Sequence, residues 1–370
     1  MYKRQTTFVM LIIFALASCW IPDLLMAQEP FNDTLMRPKG LAPTPLGDVI
    51  IHSTIFSATL LTQFAPDRSV SNQSMIANDP FEATLLENAH LAVDPAGDAY
   101  YLLAPDGVLL VVDSALQEIA RFDLRTLPVD TTNVYDVGNG MLSNSFVLSQ
   151  PVFGDLDVFM PFLETSERIV LCSGISNGTP FVMRFNMPSM LLEPMALKIV
   201  LMSTVTAPDA FNTPRGIAVA RDTGIALTSL PIGLPAPGTC PDAVIKFDIL
   251  DPENTVEILP DTENGGFPSW GMTTDAQSNF YFTTGDSIEE PTCSQSGRAR
   301  VIFIPNNLTG LGSPLPFGLF APVRPEDVAV SPQTYDIYVT VTEADAVVRF
   351  QALGPLLSTE PLVPTTPLIP

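Results

Sequence analysis

The sequence is poor in charge and especially poor in basic residues. Charged residues make up 15% of the 370 positions, and 17 lysines and arginines stand against 40 aspartates and glutamates, so the formal net charge is −23. Proteins that bind nucleic acid need a basic face that contacts phosphates. The charge balance therefore argues against nucleic acid as a partner.

Long helices and membrane-spanning segments are also missing. The 36 prolines are about twice the usual share, and each proline inside a helix removes a hydrogen bond and clashes with the preceding turn. No run of 18 apolar residues exists, although a membrane-spanning helix needs about 20. The 46% hydrophobic content nevertheless argues against a disordered chain, which leaves a compact fold built from short elements.

The N-terminus has the pattern of an export signal. Lys3 and Arg4 precede an apolar run over residues 8–17, which is too short to span a bilayer and typical of a signal-peptide core. Two endings are compatible with it: a lipobox at residues 16–19 that lipidates Cys19, or ordinary cleavage after Ala17 or Ala27. We expect residues 1–27 to be a signal peptide and the protein to be exported to the periplasm, cell surface or medium, with membrane contact only through a lipid on Cys19.

An internal repeat is the main structural signal. Each copy contains an inner β-type run, a polar turn and two further runs rich in Val, Ile, Tyr, Phe and Thr, which is the signature of consecutive antiparallel strands. Four inner runs align clearly: His90-Leu-Ala-Val-Asp94, Gly216-Ile-Ala-Val-Ala220, Gly271-Met-Thr-Thr-Asp275 and Asp327-Val-Ala-Val-Ser331. The last two intervals between corresponding anchor residues are 55 and 56 positions, whereas the first is 126.

The long first interval contains a degraded fifth copy, which is visible in the runs 169–172 and 181–185. The strand-rich stretch 48–64 supplies either a sixth copy or a strand that closes the ring. Units of this length with about four strands each predict an all-β β-propeller, because radial stacking buries both faces of each sheet. We expect about six blades of antiparallel strands over residues 48–353, with five or seven as alternatives. Residues 28–47 read as an irregular leader, and 354–370 as a Pro-rich tail.

The unit at residues 91–100, apolar-Ala-Val-Asp-Pro-x-Gly-x-x-Tyr, resembles the NHL repeat. It also resembles the related blades of streptogramin lyase and of the gluconolactonase and senescence-marker lactonases. The resemblance covers roughly residues 85–353 and implies a propeller superfamily with many different activities.

Two cysteines occupy equivalent insertions in consecutive repeats. The third and fourth visible copies carry extra residues in the same loop, and each extra loop contains one cysteine, Cys240 or Cys293. Since adjacent blades bring equivalent loops side by side and exported proteins form disulfides, we predict a Cys240–Cys293 disulfide. Cys172 falls inside a strand and is predicted to be a buried, inert thiol.

Residues directly before the inner strands should surround one mouth of the channel, where ligand sites concentrate. The predicted ligand-binding rim consists of Asn88, Arg215, Trp270, Arg324 and Glu326.

The resemblance adds two chemical hypotheses at this rim. In the lactonases a Glu, two Asn and an Asp hold a divalent cation, which implies Glu87, Asn212 and Asp327 as ligands for Ca²⁺, although the Asn-Gly pair of that family is missing here. In streptogramin lyase a rim histidine is the general base, which implies His90 as a catalytic residue.

The function expected from the sequence is a monomeric, exported platform that binds a small ligand, a glycan or a protein at its channel face. A Ca²⁺-dependent lactonase-like hydrolase and a His90-dependent lyase are the alternatives, so the sequence leaves open whether the protein is an enzyme.

Overall fold

The structure, a computed structural model, describes residues 37–55, 58–143, 146–161, 167–187, 197–203, 216–231, 242–259, 269–284, 300–306, 313–314, 325–341, 345–351 and 363–364. Within these residues the strands form six sheets. The innermost strand of each sheet contacts the innermost strand of the next, and that of the sixth sheet contacts that of the first, so the sheets close into a ring. The predicted β-propeller is therefore confirmed, with blades 1–6 numbered in chain order.

Blades 1 and 2 are four-stranded antiparallel sheets whose strands follow one another in the chain. Blade 1 contains β1 (Leu41–Pro43), β2 (Val49–Ile55), β3 (Ala58–Phe64) and β4 (Val70–Ala77). Blade 2 contains β5 (His90–Val93), β6 (Ala99–Leu103), β7 (Val108–Asp113) and β8 (Glu118–Asp123).

Blade 3 is larger because the chain between blades 2 and 3 adds strands at its outer edge. Its strands are β9 (Val129–Asp130), β10 (Val134–Asp136), β11 (Met141–Ser143), β12 (Val152–Phe159), β13 (Arg168–Ser176), β14 (Thr179–Met187) and β15 (Leu197–Met202). The four strands from β12 to β15 form an antiparallel meander like the other blades, and β9 and β10 pair in parallel with β15.

Blades 4, 5 and 6 repeat the four-stranded pattern. Blade 4 contains β16 (Ile217–Val219), β17 (Ile225–Pro231), β18 (Asp242–Asp248) and β19 (Glu257–Ile258). Blade 5 contains β20 (Ser269–Thr274), β21 (Phe280–Thr284), β22 (Arg300–Ile304) and β23 (Ser313–Pro314). Blade 6 contains β24 (Val328–Val330), β25 (Ile337–Val341), β26 (Ala346–Gln351) and β27 (Val363–Pro364).

Helices are short in the described part of the chain. They are α1 (Pro80–Leu86), α2 (Pro252–Thr255) and a 3₁₀ turn at Leu124–Thr126. Asp79 caps α1 by accepting the N–H groups of Phe81 and Glu82. No helix in the described residues has the length and apolar character needed to cross a membrane.

The shared shape of the turn after the inner strand explains part of the repeat. Asp94 accepts the N–H of Ala96 at 2.7 Å, and Asp275 accepts that of Gln277 at 2.8 Å. A short side chain that bonds to the backbone two residues on fixes such a turn. In blade 2 the turn also needs Gly97, whose φ is +77°.

The apolar core lies between neighbouring blades and follows the alternation of each strand. On β2, Ile50 packs with residues of blade 2 such as Leu102, whereas its neighbour Ile51 packs with Tyr338 of blade 6. Successive side chains point to opposite faces of a strand, so each blade is apolar on both faces and is stable only between two others.

The ring extends beyond the predicted limits of 48–353. Strand β1 lies in the segment predicted to be an irregular leader, and β27 lies in the segment predicted to be a tail. Both strands are too short for a period-2 pattern to identify them. Cys172 lies in β13 as a buried free thiol, as predicted, and burial raises its pKa.

Candidate functional site

The six inner strands bring six equivalent residues to one level of the central channel. Each is the first residue of the four-residue pattern that forms an inner strand, and they are Gly40, His90, Asp155, Gly216, Gly271 and Asp327. We call these six positions the channel layer. Three of them are glycines and three carry a polar side chain.

The glycines leave the space that the polar side chains occupy. A Cβ atom on Gly271 would lie 2.5 Å from Oδ1 of Asp327, and one on Gly216 would lie 2.9 Å from the backbone of Gly271. Real Cβ atoms do not approach other atoms this closely, so neither glycine can be replaced without displacing its neighbour. Around the ring, the channel layer holds side chains from only half of the blades.

The carboxylate of Asp155 accepts hydrogen bonds from the backbone of three blades. Its Oδ2 accepts the N–H groups of Ile217 in blade 4 and Met272 in blade 5, both at 3.0 Å, and its Oδ1 accepts that of Leu156 at 2.9 Å. The β12–β13 register shifts between Phe153 and Leu156. Such a bulge changes the direction of a side chain. Here it lies at Asp155, whose carboxylate accepts hydrogen bonds from blades 4 and 5.

Asp327 performs the same role on the opposite side of the ring. Its Oδ2 accepts the N–H of Leu41 in blade 1 and its Oδ1 accepts that of Val328, both at 2.8 Å. Its own N–H donates to Oγ1 of Thr340 at 3.0 Å. The side chain is therefore fixed on both oxygens.

His90 completes a three-residue group with the two aspartates. Its Nδ1 lies 3.5 Å from Oδ1 of Asp155 and has no hydrogen-bond partner among the described residues. One ligand atom from each of His90, Asp155 and Asp327 lies within 4.8 Å of the other two, and all three residues are buried. We call these three residues the central group.

The buried position of Asp327 beside a second carboxylate opposes its ionisation. Burial, followed by the charge on Asp155, raises the pKa of Asp327 to about 7, although His90 and the N–H groups of Leu41 and Val328 act in the opposite direction. Near neutral pH the central group therefore stabilises either a proton or a cation.

Further polar residues are buried beside the central group. Nζ of Lys39 lies 2.7 Å from Oε2 of Glu326, and the side chains are 9% and 7% exposed. His52 on β2 is fully buried, and neither of its ring nitrogens has a well-aligned hydrogen-bond partner among the described residues. Burial lowers the pKa of His52 to about 3, with smaller contributions in the same direction from His90 and Lys39, so the ring is neutral.

The channel beside the central group contains a cavity of about 20 Å³. Residues of five inner strands line it, including Asp327, Leu91 and Met272, together with Asp157 and Arg221. A water molecule needs about 10–15 Å³. The cavity therefore accommodates a water molecule or a single ion, and an organic ligand has to bind outside it.

Among the predicted metal ligands, the structure places only Asp327 in the central group. Glu87 ends α1 and forms an ion pair with Arg37 instead. Asn212 lies outside the described residues, so the predicted set of Glu87, Asn212 and Asp327 stays a prediction. His90, the predicted base, is in the central group.

The predicted rim residues have different environments. Asn88 is exposed, Glu326 is buried against Lys39, and Trp270 is 3% exposed within β20. Arg215 and Arg324, together with the cysteines Cys19, Cys240 and Cys293, lie outside the described residues. The rim and the disulfide therefore stay predictions.

Asp155 is the residue that the sequence predictions missed. The third blade was recognised only from its second and third strands, so its inner strand had no assigned position. The pattern Asp155-Leu-Asp-Val aligns with Asp327-Val-Ala-Val and His90-Leu-Ala-Val. The first, second and fourth positions are the signal that identifies it, whereas Asp157 stands at the third position, where the other two patterns have alanine.

Comparison with known proteins gives likeness of fold alone. No protein-family model and no curated protein sequence matches the chain. A structural genomics protein of unknown function from Bacteroides thetaiotaomicron is similar over 85% of this chain and 69% of its own, with 14% identity and a TM-score of 0.51.

Two proteins of the groups that the repeat resembles are also among the similar structures. A gluconolactonase from Xanthomonas campestris has 12% identity and a TM-score of 0.45, over 84% of each chain. A streptogramin B lyase has 9% identity and a TM-score of 0.46, over 85% of this chain and 93% of its own.

Proposed function

We propose that the protein holds a divalent metal ion in the central group and uses it to bind a ligand at the mouth of the channel. The observation that carries the proposal is the convergence of His90, Asp155 and Asp327 within 4.8 Å, with Nδ1 of His90 left unpartnered among the described residues. An unpaired buried nitrogen beside two carboxylates is costly unless a proton or a cation satisfies it.

The lone pairs left over on these residues suit a metal. An ionised carboxylate offers about four acceptor positions. Asp155 uses three of them for backbone N–H groups and Asp327 uses two. Positions on both carboxylates therefore remain for an ion, together with the imidazole nitrogen.

The donor set favours a borderline transition metal over the predicted Ca²⁺. One imidazole and two carboxylates suit Zn²⁺, Mn²⁺ or Fe²⁺, whereas Ca²⁺ takes six to eight oxygen ligands. A Ca²⁺ site would need additional oxygen ligands from outside the described residues. Finding Ca²⁺ by elemental analysis is therefore the alternative outcome.

A bound ion of this kind supplies a Lewis acid that polarises a carbonyl or phosphoryl oxygen. The chain's own residues hold it: Asp155 and Asp327 are fixed by backbone N–H groups, and the glycines of the channel layer keep other side chains away. Because the cavity admits only a water molecule or an ion, the ligand is expected to contact the ion from the mouth. A lactone or ester is a suitable test substrate.

A metal-free general base is the second candidate. His90 faces a buried carboxylate at 3.5 Å, an arrangement that orients an imidazole so that its other nitrogen takes a proton from a substrate. This candidate corresponds to the His90-dependent lyase. It predicts activity that survives metal removal.

We also propose that the propeller acts outside the cytoplasm, on a small ligand, a glycan or a protein. The apolar run at residues 8–17, preceded by Lys3 and Arg4, supports this location. The location is tested by the N-terminal sequence and lipid content of the mature protein, which also distinguish a free N-terminus from a lipidated Cys19.

Elemental analysis and metal titration test the metal proposal. We expect about one transition-metal ion per chain in wild type. Since losing even an outer partner of a metal ligand costs about 10–100-fold in affinity, Asp155→Asn and Asp327→Asn should each weaken binding more than about 100-fold.

Asp136→Asn is the matched control. Asp136 lies on β10 at the outer edge of the same blade as Asp155, is buried, and accepts the N–H of Gly138 at 2.9 Å, but it is not part of the central group. The control should retain metal. A wild-type protein that binds no divalent ion, or equal losses in Asp155→Asn and Asp136→Asn, would contradict the metal proposal.

A further inference from the structure

The central group contacts all six blades. Its two carboxylates accept the backbone N–H groups of Leu41, Leu156, Ile217, Met272 and Val328, which belong to blades 1, 3, 4, 5 and 6. His90 adds blade 2. One residue from every inner strand is therefore bonded to, or in contact with, the same three side chains.

The seam between blades 1 and 6 differs from the other five. Each blade consists of strands that are consecutive in the chain, and no described strand of one is shared with the other. Neighbouring blades elsewhere are joined by the chain itself, whereas within the described residues blades 1 and 6 are joined by non-covalent contacts. The seam is therefore the place where the ring can separate without unfolding a blade.

Specific polar contacts hold this seam beside the central group. Leu41 donates its N–H to Asp327, Lys39 pairs with Glu326 at 2.7 Å, and Oγ1 of Thr340 donates to the carbonyl oxygen of Lys39 at 2.9 Å. At the far end of the seam, Nε2 of Gln333 donates to the carbonyl oxygen of Pro45 at 3.1 Å. Asp327 thus belongs both to the seam and to the central group.

The charge on the central group acts directly on this seam. Asp155 and Asp327 are both buried and close together, so their repulsion pushes blade 6 away from blade 3 when neither is neutralised. A cation between them removes that repulsion and orients the carboxylate that accepts the N–H of Leu41.

We propose that the ion in the central group is a clasp that closes the ring: binding it locks blade 1 against blade 6, and releasing it lets the seam between β1 and β24 open. The inference rests on the proposed metal site and assigns it a conformational role. Access to the ion is then coupled to movement of the segment 37–43.

Hydrogen exchange of the full chain, followed by mass spectrometry, tests the clasp. Metal-loaded and chelator-treated samples are compared, with metal content measured on the same samples. We expect exchange in segments 37–43 and 325–330 to accelerate at least about tenfold on metal removal, since local opening sets exchange rates. The β13–β14 hairpin (Arg168–Met187) should change little and is the internal control.

A variant away from the ligands tests the coupling in the other direction. Gln333→Ala weakens the seam at an exposed position and leaves the charge around the central group unchanged. Linkage requires that, if seam opening weakens metal binding by some factor, the metal opposes opening by the same factor. Gln333→Ala should therefore bind metal more weakly than wild type, by the factor by which it lowers the closed fraction of the metal-free ring.

The outcomes separate the two proposals. Metal binding with unchanged exchange at the seam overturns the clasp and leaves the metal site intact. No bound metal in any sample overturns the proposed function, and the clasp with it. Accelerated exchange at the seam together with weaker metal binding in Gln333→Ala supports both.

Discussion

Asp155 shows how much one side chain can organise in a propeller. It is 2% exposed and bonds to backbone N–H groups of three different blades. Hydrogen bonds from backbone N–H groups to a carboxylate are stronger than those between neutral groups. The position of Asp155 explains why the ring has an acidic centre: the backbone N–H groups at the start of the inner strands need an acceptor.

The low pKa of His52 should have a measurable effect on the stability of the fold. Its pKa of about 3 is below the ordinary value of 6.5, so between these pH values the unfolded chain holds a proton that the folded chain does not. The contribution of His52 to the free energy of unfolding therefore falls as pH is lowered from about 6.5 towards 3, by up to about 1.4 kcal/mol per pH unit.

We predict that His52→Leu removes this acid sensitivity. The substitution also removes two buried nitrogens that lack well-aligned partners among the described residues, so the free energy of unfolding at pH 7 should rise by about 1 kcal/mol or more. Urea unfolding of both proteins from pH 7 to pH 4 measures the difference. Raised pKa values such as those of Asp157 and Asp327 act in the opposite direction, but they cancel in the comparison. Parallel pH profiles would refute the prediction.

At the scale of strands, four of the six inner strands were predictable because their pattern repeats, whereas the inner strands of blades 1 and 3 and the shortest outer strands were not. Strands such as β6 and β7 alternate or are rich in β-branched and aromatic residues, and turn residues mark their ends. Strand β1 has three residues, Leu-Ala-Pro, and forms only because the ring offers it a partner strand and two apolar neighbours. Tertiary contacts decide such segments, and local patterns do not contain that information.

The close packing of β20 against β24 predicts the effect of Gly271→Ala. Its Cβ would meet Oδ1 and Cα of Asp327 at 2.5 and 2.7 Å, so Asp327 or its strand has to move. We expect a loss of about 1–3 kcal/mol in the free energy of unfolding and weaker metal binding.

Gly140→Ala is the control for this substitution. Gly140 has a φ of +65°, and no atom of the described residues lies within 4 Å of the point that an alanine Cβ would occupy. Alanine at position 140 strains the backbone but does not contact the channel. Metal affinity should therefore stay unchanged in Gly140→Ala. Equal metal affinities in the two variants would show that Gly271 does not control the position of Asp327.

For the whole molecule, the sequence predicted the propeller and about six blades, but only part of the central group. His90 and Asp327 were recognised because they precede clear inner strands. Their partner Asp155 was not, because proximity across the channel depends on ring closure and not on chain distance. Glu87 was predicted at the channel from the resemblance, whereas the structure pairs it with Arg37.

The predicted disulfide links two adjacent blades and stays a prediction. The segments that contain Cys240 and Cys293 connect equivalent strands, β17 to β18 in blade 4 and β21 to β22 in blade 5. A bridge closing a loop of about 50 residues would contribute about 4 kcal/mol in the chain-entropy model.

Thiol counting by mass spectrometry checks the disulfide. In denatured, unreduced protein lacking residues 1–27, we expect alkylation of Cys172 alone, and reduction should add Cys240 and Cys293. Alkylation of all three cysteines before reduction would exclude the bridge.

The order of glycines and polar side chains in the channel layer has a consequence for redesign. Around the ring the order is Gly40, His90, Asp155, Gly216, Gly271 and Asp327. A Cβ atom on any of the three glycines would lie less than 3.0 Å from an atom of the next blade, so a ligand side chain cannot be moved to one of these positions without moving that blade. The pseudo-rotational symmetry of the ring is therefore broken at its centre, and the geometry offered to an ion depends on which three blades carry side chains.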